Sequence, residues 1–273
     1  MTRSEGLLFC LDCTACRGIL AVGLVFLFLL FGCSAQQPRT GSSSKQAAIQ
    51  GNERIRTFRS AKQEIYQVFK QRLRTFYCNC AYSKRSIRSG DCGFSSSKHT
   101  QRAERTEIEH VVPVHAFGQS FRSWREGHPR CVDKKGRRYR GRRCAKKISK
   151  RFEMMSSDLY NLRPVVGALN ALRSNLRMGL IDGERRAFGQ CDVEIEGGVF
   201  EPAVAIRGDI ARIYLYMDSA YPGHGIVGHK QRRLFEAWHR ADPVSDEERS
   251  IADEIRRIQG NENPFVMGVD AVN

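Results

Sequence analysis

The chain has 273 residues, 41% of them hydrophobic, and a formal net charge of +16. That hydrophobic share supports a packed core and excludes the composition of an intrinsically disordered chain, and the length fits an export segment plus one domain, or two small domains at most. Before residue 34 the charges Arg3, Arg17, Glu5 and Asp12 cancel, so the whole positive excess lies after residue 33, where it attracts polyanions: nucleic acid first, anionic membrane or glycan as the duller alternative.

Residues 19 to 31, ILAVGLVFLFLLF, form an apolar run after a weakly basic start. The run is shorter than the ~20 residues of a membrane-spanning helix and fits a signal-peptide core. Leu30-Phe31-Gly32-Cys33 resembles a bacterial lipoprotein cleavage site that would leave Cys33 lipidated; ordinary cleavage after Ala35 competes with it. The expected division is a signal peptide over 1–35, a Gln/Ser/Gly-rich linker over 36–51, a body over 52–266 and a tail over 267–273. Periplasmic, secreted and lipid-anchored outer-membrane locations all follow from such a start, with membrane contact limited to the signal peptide or an anchor at Cys33.

Along the body, Ser60 followed by Gln63 reads as a capping box opening a helix from about 61 to 72. Residues 77 to 106 read as loops held by disulfides. Six cysteines lie beyond the export segment: Cys78, Cys80, Cys92, Cys131, Cys144 and Cys191. An even number in an exported chain implies three disulfides, with 15 connectivities open. Structural zinc is the competing reading, and Cys-x-Cys at 78 and 80 lacks a second closely spaced ligand pair. Glu107 to Val112 reads as a strand stopping at Pro113. Residues 122 to 150 form a basic excursion. Pro164 is expected to open a short helix, PVVGALNALRSN. Helical spacing recurs over 209–221 and over 230–239, where Leu234, Phe235 and Trp238 face inward. Ser245 with Glu248 makes a further capping box for a helix running to Gly260.

Two segments carry candidate chemistry. In EIEHVVPVHAFG, Glu109 and His110 place two polar groups in an apolar strand, where burial demands hydrogen bonds or a metal. In DLYNLRPVVGALNALRSN, Asn161, Asn170 and Asn175 surround a helix start. Taken singly, Asn161 reads as a turn residue, Asn170 as a solvent-facing helix residue and His110 as a satisfied core histidine.

Together with ARIYLYM, IQGNENPF and Phe76-Tyr-Cys-Asn-Cys80, these segments resemble the bacterial endonuclease I family over residues 52 to 266. Members of that family are periplasmic or secreted nucleases of the ββα-metal (His-Me finger) fold. The resemblance implies an α+β fold of mixed helices and short strands around that motif, stabilised by disulfides, and a monomer acting on DNA and RNA without sequence preference. It implies a carboxylate metal ligand at Glu109 and a general base at His110. It implies an amide metal ligand at Asn170, nine residues after Asn161, which would orient His110. It also implies a phosphate-binding arginine before a cysteine, matched by Arg142, with Arg140 and Arg143 as alternatives in a loop longer than in relatives. The implied cofactor is Mg2+, with Mn2+ or Ca2+ as alternatives, and the implied products carry 5′-phosphate ends. His115 receives no role. The family's two further cysteines near the C terminus are absent, as if one whole disulfide had been lost.

The chemistry is coherent without the family. A neutral imidazole takes a proton from water, a hard cation relieves charge at the phosphate, and an arginine fork binds phosphate oxygens. The basic loop adds affinity for the backbone. One difficulty is built in: neighbours on a regular strand point to opposite faces, so Glu109 and His110 share a site only where the backbone departs from that geometry. The competing readings are a lipoprotein that captures nucleic acid without cutting it, an adhesion protein contacting anionic lipid, and a zinc enzyme.

Overall fold

The structure, a computed structural model, describes residues 48–183 and 185–268, all within the larger of two compact units, Gln46–Asn273. The expected signal peptide, Cys33, the expected linker up to residue 47 and the expected tail from residue 269 lie outside the described residues. Gly51, expected at the end of the linker, is buried against Tyr221, and Asn52 is fully buried, so the body begins slightly earlier than the composition shift suggests. Met267, expected in the tail, closes the last helix.

The first helix, α1, spans Phe58–Val68. Thr57, three residues before Ser60, is its cap: the Thr57 side chain accepts the N–H of Ser60. The helix buries Ala61, Ile65 and Val68 at helical spacing, and it starts early enough to carry Phe58. The disulfide-rich stretch holds a hairpin of β1 (Tyr82–Ser83) and β2 (Ser86–Ile87) and a short helix α2 (Thr100–Ala103).

Strand β3, Thr106–His110, is followed by a bend at residues 111–112 and by two short helices, α3 (Val114–Gly118) and α4 (Arg122–Arg125). The basic excursion is less loop-like than its composition suggests. It continues into α5 (Arg142–Ile148) and α6 (Lys150–Ser156).

Pro164 does not open a helix. Leu162–Val166 is a strand, β4, antiparallel to β3 with Ile108 opposite Pro164, and helix α7 begins after it at Gly167 and runs to Arg173. Two physical facts override the proline signal. Leu162, Val165 and Val166 are all buried, which a strand against β3 achieves. The Pro164 carbonyl accepts from Phe76 N on the side away from β3. In a strand the N–H and C=O of one residue face the same side, so the proline costs no ladder bond.

A second sheet, of order β5-β7-β6, contains β5 (Arg177–Met178), β6 (Val193–Glu196) and β7 (Val199–Pro202). Helix α8 (Arg207–Ala220) is buried nearly all round, from Ile210 through Met217. Helix α9 (His229–Ala241) packs Phe235 and Trp238 inward, with Leu234 half-buried against the core.

Helix α10 (Asp246–Gln259) is capped by Ser245 and closed by Gly260 in the left-handed region. Only half of the expected capping box forms, because Glu248 is drawn to the buried Arg212 at 2.7 Å. Helix α11, Pro264–Met267, ends the described chain. The fold is α+β, with short strands embedded among helices. The six body cysteines pair as Cys78–Cys191, Cys80–Cys92 and Cys131–Cys144. The first ties the segment before β3 to the second sheet; the third fastens the basic excursion to α5.

Candidate active site

The strand–strand–helix succession β3-β4-α7 brings the two candidate segments together. Glu109, His110, Arg142 and Asn170 line one cleft of about 420 Å³, rimmed by His115, Trp124 and Asn175. Glu109 and His110 both keep regular pairing in β3, opposite Arg163 and Leu162, and the departure from strand geometry begins directly after His110. His110 is the last paired residue of β3, and after it the Val111 N–H donates to the Asn161 carbonyl while the chain bends toward Pro113.

Asn161 acts on that bend. Its side-chain oxygen accepts the Val112 N–H at 2.6 Å, and its amide nitrogen donates to the Val112 carbonyl at 3.0 Å. Both side-chain bonds go to backbone, so Asn161 fixes the segment that follows His110 and leaves the imidazole itself to other partners.

Those partners are Ser156 and Phe58. Nε2 of His110 lies 2.8 Å from the Ser156 carbonyl at the end of α6. A carbonyl oxygen only accepts, so Nε2 carries the proton and Nδ1 is left as the acceptor. The ring stacks on Phe58 at 4.6 Å. Burial, then the nearby Arg142 charge, pushes His110 down to about 3 against the opposing pull of the Ser156 carbonyl. The imidazole is therefore neutral at neutral pH.

Glu109 is 3% exposed. Its Oε1 takes Nη1 of the fully buried Arg173 at 3.0 Å and the Tyr77 hydroxyl at 3.4 Å, while Oε2 is buried with no partner among the described residues. Burial pushes this carboxyl up to about 7, Arg173 opposing. Arg173 also donates to the His110 carbonyl at 3.1 Å, to the Val111 carbonyl and to Tyr214. One guanidinium thus braces both the carboxylate and the backbone that carries the histidine.

Asn170 sits on α7 with its amide nitrogen 2.9 Å from Oε2 of Glu107. Glu107 is held in turn by Arg102 and Arg105, and its carboxyl is lowered by their hydrogen bonds and that of Asn170, against burial. Since the amide nitrogen is committed, the carbonyl oxygen of Asn170 is the atom left over. Two oxygens that find no donor among the described residues, Oε2 of Glu109 and Oδ1 of Asn170, therefore belong to residues lining the same cleft. Among the described residues no group of three or more His, Cys, Asp or Glu side chains could hold a metal ion. A cation here would rest on one carboxylate, one amide oxygen and water, a donor set suited to a hard divalent ion and poor for zinc.

Of the three candidate arginines, Arg142 lines the cleft, its guanidinium carbon 5.7 Å from the Phe58 ring that also carries His110. Arg143 instead stacks on Tyr139 at 3.8 Å, and Arg140 donates to the Arg125 carbonyl. Sequence reasoning missed Phe58, Tyr77, Glu107, Ser156 and Arg173. Glu107 left a signal, because it is two residues from Glu109 on the same strand face. Arg173 lay unread inside a segment already singled out. Tyr77 lay unread in the resembling segment Phe76–Cys80, while Phe58 and Ser156 come from elsewhere in the chain and left none.

The Endonuclease I family model matches residues 41–269. The chain is 37% identical over 217 residues to an extracellular deoxyribonuclease of Aeromonas hydrophila, covering 77% of this chain and 88% of that protein. It is 35% identical over 222 residues to a periplasmic deoxyribonuclease of the same organism, covering 78% and 86%. It is 33% identical over 232 residues to an endonuclease-1 of Buchnera aphidicola, covering 82% and 86%.

Proposed function

The chain belongs to the endonuclease I family and is an endonuclease, and on that premise we propose that it is exported and hydrolyses phosphodiester bonds of DNA and RNA in the cleft between β3 and α7. His110 serves as general base, Glu109 and Asn170 hold one divalent cation, and Arg142 receives the phosphate. The observation that carries this reading is the pairing of a proton-free Nδ1 on His110 with two spare oxygens from Glu109 and Asn170.

Each side chain has a definite task. Nδ1 of His110 takes the proton from the attacking water, with the Ser156 carbonyl holding the ring in the required tautomer. Arg142 has no carboxylate partner among the described residues, so its guanidinium is available to phosphate oxygens. Asn161 holds the backbone of Val112, Arg173 holds the carbonyls of His110 and Val111, and neither transfers a proton. Water displaces the 3′ oxygen from phosphorus, leaving a 5′-phosphate and a 3′-hydroxyl. Mg2+, the implied ion, or Mn2+ or Ca2+ in its place, would supply charge relief at the phosphate and the leaving oxygen when bound. Nothing in this set reads a base edge, so backbone recognition in a positive field extends to RNA.

Export to the periplasm or medium agrees with the disulfides and the apolar N-terminal run. The lipid anchor at Cys33 belongs to this proposal as its envelope-tethered form. The alternative, a capture protein that binds without cutting, leaves the spare oxygens and the fixed imidazole tautomer unused.

The test is cleavage of plasmid and RNA by the oxidised protein with Mg2+ and with EDTA, beside His110→Ala. The expected result is metal-dependent degradation that the variant loses while still shifting DNA in a gel. Strong shifting with no cleavage by the unaltered protein supports the capture reading instead.

A further inference from the structure

The rim of the cleft holds groups that phosphodiester hydrolysis does not use. Trp124 on α4 is half-buried, yet it lines the same cleft as His110 and Asn170. Its indole is fixed from behind. A Cβ on Gly118 would lie 2.5 Å from the ring, so the indole rests directly on that glycine's backbone. Phe152 packs against it at 5.9 Å, and His115 meets it edge-on at 6.0 Å. Its backbone is tied to the site, because the Trp124 carbonyl accepts the N–H of Gly141, the residue before Arg142. Among the described residues the indole N–H has no acceptor.

Asn175 completes the rim. Ser174 stands at φ 48°, in the left-handed region that a serine enters only at a cost, and strain of this kind gathers where a function needs the chain held. The Ser174 hydroxyl donates to the oxygen of Asn175 at 3.3 Å, leaving the amide nitrogen of Asn175 as a spare donor in the cleft.

We propose that Trp124 and Asn175 form a nucleobase subsite beside the scissile phosphate. The indole offers its face to one base, and the Asn175 amide donates to that base's acceptor atoms. A base can stack on a protein ring only when it has left its own stack. The occupant is therefore a nucleotide of a single strand, DNA or RNA, and single-stranded substrate is favoured over intact duplex. Stacking tolerates every base, so the preference is for strandedness and not for sequence. This proposal rests on the nuclease reading.

The experiment uses single strands with one cleavable linkage, all others phosphorothioate, whose flanking nucleotides are either intact or abasic, together with the matching duplex. Trp124→Ala should lower kcat/KM on the intact strand about tenfold, the usual range for loss of one base–aromatic stack. Trp124→Phe should recover most of that loss. On the abasic strand wild type and Trp124→Ala should coincide, and on duplex the variant should lose no more than about twofold. Equal losses on intact and abasic strands, or on single strand and duplex, would overturn the subsite and leave Trp124 a packing residue. A second readout needs no turnover: binding of oligo(dT) to His110→Ala should quench tryptophan fluorescence. Trp238, the other tryptophan, is buried, so the quench reports Trp124, and its absence would also overturn the subsite. A wild-type protein that cuts none of these strands contradicts the nuclease reading instead.

Discussion

Two of the buried carboxylates among the described residues, Asp158 and Glu109, are treated in opposite ways. Asp158, at the centre of the helical layer, receives five donors: the backbone N–H groups of Asn52 and Tyr160, the hydroxyls of Tyr216 and Tyr221, and the amide of Gln259. Glu109, under the cleft, has Arg173 and Tyr77 on one oxygen and nothing on the other. A structural carboxylate is saturated, because each unmet lone pair in the interior costs free energy. On the proposed function, the donor missing from Glu109 leaves room for a cation, and the difference separates a residue that holds this fold from one that acts.

The largest effects should come from breaking the open network. His110→Ala should lower metal-dependent cleavage by about 10²–10⁴-fold, the range for loss of a general base, with little change in melting temperature. Next comes the saturated network. Asp158→Ala strands two tyrosine hydroxyls, an amide and two backbone N–H groups, and should cost about 3–5 kcal/mol of stability, measured by urea denaturation. Activity per folded molecule should be unchanged. If Asp158→Ala instead removed activity while leaving stability intact, the division between the two networks would fail.

A smaller effect sharpens the same contrast. Burial raises the Asp158 carboxyl despite its donors, so the unfolded chain gives up this proton first. The contribution of Asp158 to stability is then greatest in acid and falls as pH rises from the ordinary value of 3.8 through the raised folded one. Wild type should lose more stability than Asp158→Asn across that rise. Parallel profiles would show that Asp158 does not titrate abnormally.

How much of this was legible in the sequence depends on how far apart the partners lie. Helix α10 could be read, since Ser245 and Gly260 are local signals for its two ends. Strand β3 could be read from its apolar run. The β4 strand could not, because Pro164 is a local signal for a helix start and the pairing with Ile108 that overrides it is distant. In the site, the resemblance to endonuclease I pointed to Glu109, His110 and Asn170. What it did not convey is which atoms remain free. That depends on Ser156, Arg173 and Glu107, which reach their partners from 46, 63 and 63 residues away. The strand-face conflict between Glu109 and His110 was visible beforehand, but the bend after His110 and the Asn161 clamp on Val112 were not.

The central claim is that the spare oxygen of Glu109 awaits a divalent cation, and the direct measurement is Mn2+ binding by electron paramagnetic resonance. Metal-free wild type, His110→Ala and Glu109→Gln would be compared, the last keeping an acceptor for Arg173. The account predicts one bound Mn2+ in wild type and in His110→Ala, and its loss in Glu109→Gln. Equal binding by Glu109→Gln, or none by wild type, would contradict it.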